Sequence, residues 1–395
     1  MGHPCTIHKQ QHATKRAAAV GLPLIIHVWG AVMVMMKVML RLSLLGALLA
    51  SCTLYASPPL GEDNFPLKRA GSIPIGTAIE DFAVGDDWIA VQSVDGITAI
   101  DRATQQTLWK LDYPIIPRGN ALQMHDNKLV TASLEKITIL DKLGERQQIT
   151  PDPEASTITR ILHVSPNYLY FVGGPDWILE AYDLSKDAML WKMPLGRTVA
   201  KVFYDDKNDR VYLTKDDSVQ AIENSTGKVL WQRGGIRGQG ILYEDGILYI
   251  PSAGSTSDHF RLTALDVGSQ ETIWEREIRV PPEVGGGHQA VVNDLLLYSG
   301  GGMMAIDKSS GELLWTISNV GEEFYTLPVE VDGTIYVKGQ DTGAVYAIDA
   351  DNGMIMGHLR LEDLGWWSTA RGGLHALKDG IIFNSTDELM IYEDR

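Results

Sequence analysis

The chain is 395 residues long, 45% hydrophobic, and carries a formal net charge of −16 at pH 7. That acidic balance opposes non-specific nucleic-acid binding, which needs cations against phosphates, and electrostatic adhesion to anionic headgroups. The length is ample for one large core. Cys5 and Cys52 are the two cysteines, so the chain beyond residue 52 holds no disulfide and must be stabilised by packing.

Residues 1–51 contain five basic and no acidic residues. A long apolar stretch runs from Val20 to Leu49, interrupted by His27, Lys37 and Arg41. It ends in Leu49-Ala50-Ser51-Cys52, which resembles the lipobox of bacterial lipoproteins. In that reading Lys37 and Arg41 form the basic region of a signal sequence and Leu42 to Leu49 its apolar core. Translation would then start at Met35, Met36 or Met39, and residues 1–34 would be a mis-assigned start. A transmembrane anchor and a simple cleaved signal are the alternatives, and each still places the rest of the chain outside the cytoplasm.

The lipobox resemblance implies cleavage before Cys52 and diacylglycerol on its thiol. Two or three acyl chains anchor a protein stably, so Cys52 is the expected link to a lipid membrane. Thr53, rather than Asp, follows it. The expected location is therefore the outer membrane on its periplasmic side if the host has one, and otherwise the outer face of the cell membrane. Residues 52–65, with Ser57-Pro58-Pro59, read as the lipidated Cys and a flexible tether.

From residue 66 to 395 the pattern is all-β, with no helical period after residue 60. A tripeptide of the type Ala-apolar-Asp recurs, and a Trp usually stands ten residues after its Ala. Ala99-Ile100-Asp101 leads to Trp109, Ala181-Tyr182-Asp183 to Trp191, and Ala221-Ile222-Glu223 to Trp231. Ala264-Leu265-Asp266 leads to Trp274 and Ala305-Ile306-Asp307 to Trp315, whereas Ala347-Ile348-Asp349 puts Gly357 at the Trp position. Ile139-Leu140-Asp141 and Ile391-Tyr392-Glu393 are degenerate copies. The eight acidic positions lie 40 to 44 residues apart, a period of propellers and solenoids.

Within one repeat, Ile241-Leu242-Tyr243 and Ile247-Leu248-Tyr249-Ile250 flank the hairpin signal Glu244-Asp245-Gly246. Arg261 to Asp266 is the third strand, and Ile273 to Arg276 lies in the fourth. Eight such units predict an eight-bladed β-propeller of four-stranded antiparallel blades. Seven blades is the alternative, should the copy at Asp141 be incomplete. The last copy stops at Arg395 after its third strand. Pro66-Leu67-Lys68-Arg69-Ala70 is expected to supply the missing outer strand, which removes an exposed edge.

The repeat residues have local reasons. The Asp carboxylate can accept a backbone N–H of an Asx-type turn, and Gly227, Gly311 and Gly353 supply positive φ. Ala is small where sheets approach. Trp109, Trp191, Trp231, Trp274 and Trp315 are expected to dock blades, each burying a large body and giving its N–H to a carbonyl. The run Ala221 to Trp231 resembles the quinoprotein (PQQ-type) propeller repeat, Ala-x-Asp-x-x-Thr-Gly-x-x-x-Trp. In that family the Trp docks each blade on the next.

Chemistry is sparse. The six histidines after Cys52 (His125, His163, His259, His288, His358 and His375) show no metal-ligand spacing. Asp205-Asp206-Lys207-Asn208-Asp209 lacks the Gly and distant Glu of a calcium loop. No nucleophile motif is present, and no catalytic residue is assigned. The quinoprotein resemblance raises one enzymatic alternative, a dehydrogenase holding PQQ and calcium over the propeller centre. The chain has no Cys-Cys pair and is shorter than the alcohol-oxidising forms, so no cofactor and no metal are expected.

One distribution is more suggestive. The connections from outer to next inner strands carry Arg118, Arg160, Arg197, Arg237, His288 and Arg371, and the last also holds Trp366 and Trp367. On an acidic protein such a ring can focus positive potential on a carboxylate, a phosphate or an acidic peptide. The alternative is that each Arg bonds its own loop, and that Trp366-Trp367 pack between blades. Anchor, blade number and repeat type together resemble the BamB family, scaffold lipoproteins of outer-membrane β-barrel assembly. The resemblance implies a non-enzymatic, monomeric propeller with protein partners in the cell envelope. A lipoprotein binding a small ligand or polysaccharide is a further alternative.

Overall fold

The computed structural model describes residues 64–112, 122–150, 158–174, 176–195, 199–235, 241–256, 258–279, 288–318, 323–324, 326–339, 343–360 and 373–394. They form eight four-stranded antiparallel sheets, the blades of a β-propeller. Seven blades follow chain order from the inner to the outer strand: blade 1 spans 79–111, blade 2 122–149, blade 3 158–194, blade 4 199–234, blade 5 242–279, blade 6 289–317 and blade 7 329–359. Blade 2 is complete although its repeat lacks the Ala and the Trp, which settles eight blades over seven.

Blade 8 comprises Leu374–Leu377, Gly380–Asn384 and Glu388–Glu393, closed on the outside by Lys68–Pro74. Lys68 pairs with Glu393 and Pro74 with Glu388. The closing strand therefore begins two residues later than Pro66 and extends four beyond Ala70, because its partner strand offers hydrogen bonds along that whole length.

The blade anticipated from Gly240 onward appears as Leu242–Glu244, Ile247–Ala253, His259–Asp266 and Thr272–Arg279. Asp245 and Gly246 take positive φ in its first hairpin, as an Asp-Gly turn requires. In the six blades that keep the motif a register shift falls directly after the repeat Ala, for example between Ala181 and Tyr182. This bulge sets the Ala directly opposite position ten, so Ala181 faces Trp191 and Ala347 faces Gly357.

Apolar side chains pack between sheets rather than in a single central mass. Each junction of neighbouring blades has its own cluster, and these close the ring from blade 1 back to blade 8. The repeat alanines Ala99, Ala181, Ala221, Ala264, Ala305 and Ala347 are fully buried at these junctions.

Candidate functional site at the channel mouth

Two sets of residues stand out. The first holds the blades together. Trp109 donates its indole N–H to the Lys142 carbonyl at 3.0 Å, Trp274 to that of Lys308 at 3.1 Å, and Trp315 to that of Ala350 at 2.8 Å. Trp191 does the same to Asn224. In each case the acceptor follows the acidic residue of the next blade's repeat, so each Trp spans a junction. The turn glycines Gly227, Gly311 and Gly353 lie flat against these rings: a Cβ on any of them would come within 2.7 Å of an indole atom.

Trp231 departs from this pattern. Among the described residues its buried Nε1 has no partner, and the equivalent carbonyl, that of Val267, accepts from Arg210 instead, at 3.4 Å. The opposing turn of blade 5 carries Gln270, at φ 61°, where the turns facing Trp109, Trp191, Trp274 and Trp315 carry Gly. Blade 7 departs differently. Gly357 leaves the Trp position empty, and Asn64 and Phe65 lie directly over it. Phe65 meets Tyr336 at 5.6 Å between ring centroids, much as Tyr249 meets Trp274 at 6.0 Å in blade 5. Phe65 thus fills the gap from the opposite end of the chain. A lone aromatic beside Pro66 carries no repeat signal, so sequence reasoning missed it.

The acidic residues fold their own turns. Asp307 accepts the Ser309 N–H at 3.0 Å and the Ser310 N–H at 2.7 Å, and Asp349 accepts that of Asp351 at 2.9 Å. Hydrogen bonds from Ser309 and Ser310 hold the Asp307 carboxyl below its usual range. A carboxylate engaged this way has a structural task already.

The second set lies on the axis, on the face of the outer-to-inner connections. Of the residues singled out there, Arg160 and His288 belong to the described part. Arg118, Arg197, Arg237, Trp366, Trp367 and Arg371 lie outside the described residues, as does Cys52. The pairing fixes the level of Arg160 and His288. In blade 3, Tyr170 faces Ala181, and two residues on Val172 faces Arg160. In blade 6, Leu297 faces Ala305, and two residues on the Ser299 N–H donates to the His288 carbonyl at 2.9 Å. Blade 4 adds a cation that the sequence did not single out. There Tyr212 faces Ala221, and two residues on the Thr214 hydroxyl meets the Lys201 N–H at 3.4 Å. Arg160, Lys201 and His288 therefore stand at one level on three inner edges.

The half-buried Lys201 donates from Nζ to Gln289 Oε1 at 3.3 Å. Gln289 belongs to blade 6 with blade 5 intervening, so this contact reaches across the channel. Burial, with the Arg160 charge second, lowers the Lys201 pKa to about 8. Burial and then Lys201 lower that of His288. The signal for Lys201 was its place, equivalent to Arg160 one repeat earlier, within the strand Val199–Asp205.

Other titratable groups serve the frame. The buried Lys338 donates to the Asn384 carbonyl at 2.9 Å and to its Oδ1 at 3.0 Å, tying blade 7 to blade 8. His375 Nε2 donates to the Phe82 carbonyl at 3.2 Å, tying blade 8 to blade 1. Burial, with His125 nearby, lowers His163 to about 4. Among the described residues no group of three or more His, Cys, Asp or Glu is placed to hold a metal ion.

Comparison with known proteins adds the lineage. No curated protein sequence matches the chain. Among solved structures, BamB from Moraxella catarrhalis superposes with a TM-score of 0.61 at 18% identity, covering 83% of this chain and 99% of that one. The C-terminal WD40 domain of Sif2 gives 0.60 at 11% identity, covering 83% and 98%. The quinohemoprotein alcohol dehydrogenase ADHIIG from Pseudomonas putida HK5 gives 0.57 at 12%, covering 83% and 76%. At these identities the likenesses show a shared propeller fold, on which unrelated activities sit. Residues 93–242 and 258–387 match the sequence family described as outer membrane protein assembly factor BamB, and the chain belongs to that family.

Proposed function

We propose that the chain is a non-enzymatic scaffold that holds protein partners during outer-membrane protein assembly, tethered outside the cytoplasm by acylated Cys52. The observation that carries this reading is the family match, which runs from the second strand of blade 1 into blade 8. The family's description is that of an outer membrane protein assembly factor, and Leu49-Ala50-Ser51-Cys52 offers the anchor such a role needs. The architecture suits the task physically. A ring of interblade cores makes a rigid base, and the connections between blades display variable side chains on it. In this reading the propeller works as a single copy, without quinone or metal.

Depleting the protein in its native host is expected to lower the level of β-barrel proteins in the outer membrane. Capture after cross-linking is expected to recover an envelope protein complex. Normal barrel-protein levels after depletion would overturn the reading. Cys52→Ser is expected to move the protein from the membrane to the soluble fraction. Unchanged membrane association of that variant would reject the lipid anchor without touching the scaffold role. Dye-linked alcohol oxidation by purified protein supplied with PQQ and calcium would favour the enzymatic alternative instead.

A further inference from the structure

We propose that Arg160, Lys201 and His288 form a binding site for a small oxyanion carrying two or more negative charges, a phosphate or a polycarboxylate, at the mouth of the axial channel. The site is independent of the partner reading above. It rests first on placement, because the three residues stand at one level of three inner strand edges. The long contact from Lys201 to Gln289 shows that the Lys201 side chain extends across the channel rather than along its own blade.

The charge arrangement is the second support. An ammonium has three donors, and among the described residues that of Lys201 makes one hydrogen bond, to a neutral amide oxygen. Among the described residues neither Lys201 nor Arg160 forms an ion pair. Lys201 is half-buried with the exposed Arg160 near enough for its charge to be felt, and like charges held near each other are unfavourable without a counter-charge. Among the described residues the acid at the same level of blade 1 forms no ion pair with Lys201 or Arg160. Asp81 faces Gln92, two residues past Ala90, and its carboxylate accepts the Phe82 N–H at 2.9 Å and the Leu122 N–H at 3.3 Å.

Chemistry selects the ligand. A guanidinium presents a planar fork that matches two oxygens of a carboxylate or phosphate, and an ammonium adds a point charge. The chain as a whole is strongly acidic, so a cationic mouth is a local feature and not the background of a basic surface. An oxyanion seated there would contact blades 3, 4 and 6 together. It would stabilise the folded ring by mass action, since the unfolded chain has no such site.

The test uses the purified folded protein with sodium phosphate or sodium citrate, against sodium chloride at matched ionic strength. Calorimetric titration is expected to show saturable binding of phosphate, citrate or both, and the melting temperature to rise with that anion but not with chloride. Which of the two binds more tightly identifies the oxyanion class. Lys201→Met is expected to weaken binding by about tenfold or more, the loss of one charged contact. Lys228→Met removes the same charge from an exposed outer turn of blade 4 and is expected to leave binding unchanged. If Lys201→Met does not fold, Gln289→Glu serves in its place. It puts a carboxylate against the ammonium and is expected to abolish binding by filling the site internally. Absence of saturable binding of both anions overturns the proposal, as does unchanged affinity in a folded Lys201→Met or Gln289→Glu variant.

Discussion

Trp274 and Gly311 meet face to face across the junction of blades 5 and 6, where a Cβ on Gly311 would lie 2.6 Å from the indole. Gly311 also sits at φ 74°, where an L side chain costs about 1–2 kcal/mol. Gly311→Ala is therefore expected to destabilise by roughly 2–4 kcal/mol, overpacking and backbone together. A thermal melt that does not shift would refute this. Trp231 and Trp274 look alike in sequence but not in contacts. Trp274 donates to a carbonyl and Trp231 does not, so Trp274→Phe is expected to cost about 1 kcal/mol more than Trp231→Phe. Denaturant titration of both variants checks the order. Full truncation of Trp274 to Ala should cost about 3–5 kcal/mol. The turn role of the Asp was legible because it acts within a few residues. The fault at Trp231 was not, because it depends on which donor reaches the Val267 carbonyl from another strand.

At the scale of the strand, ring closure rests on the segment from Asn64 to Pro74. Its strand Lys68–Pro74 covers the outer edge of blade 8, and Phe65, 5% exposed, completes the core between blades 7 and 8. Phe65→Ala is expected to destabilise by about 3–5 kcal/mol, the usual cost of emptying a buried aromatic site. Removing residues up to Pro74 should cost more and promote self-association, since it leaves an unpaired strand edge. Equilibrium unfolding of the substitution and size-exclusion chromatography of the truncation test the two statements. The closing strand could be read ahead from a count, because eight repeats end one strand short and an unused apolar-basic segment precedes them. The place of Phe65 could not be counted. Gly357 announces a gap, but nothing local says that the filler comes from almost three hundred residues away.

Across the whole molecule, blades 7 and 8 share a buried cation. Lys338 is 4% exposed, and burial lowers its pKa to about 8 from its ordinary value of 10.5. In the unfolded chain it keeps its proton to higher pH, so between pH 8 and 10.5 the unfolded state binds more protons. Stability from this residue accordingly rises with pH across that window, and the full cost of burying the charge is present below pH 8. The contribution is about 3 kcal/mol at most. Buried tyrosines oppose it at the alkaline end: burial raises Tyr212 to about 12, so above pH 10 the unfolded state sheds protons first. The difference in stability between the native protein and Lys338→Met isolates the lysine. It is expected to change with pH between 8 and 10.5, and a flat difference would reject the assignment.

The sequence by itself determined the repeat, the propeller architecture, the turns and the closure. Each of these depends on residues close together or on a count of equal units. The tertiary structure decided what equal units cannot: that blades 4 and 5 meet without the indole hydrogen bond, that Phe65 stands in for a Trp, and that Lys201 joins Arg160 and His288 at the channel mouth. Those features arise where different copies come together in space. A side chain's partner there is set by the ring that the copies build and not by its neighbours in the chain.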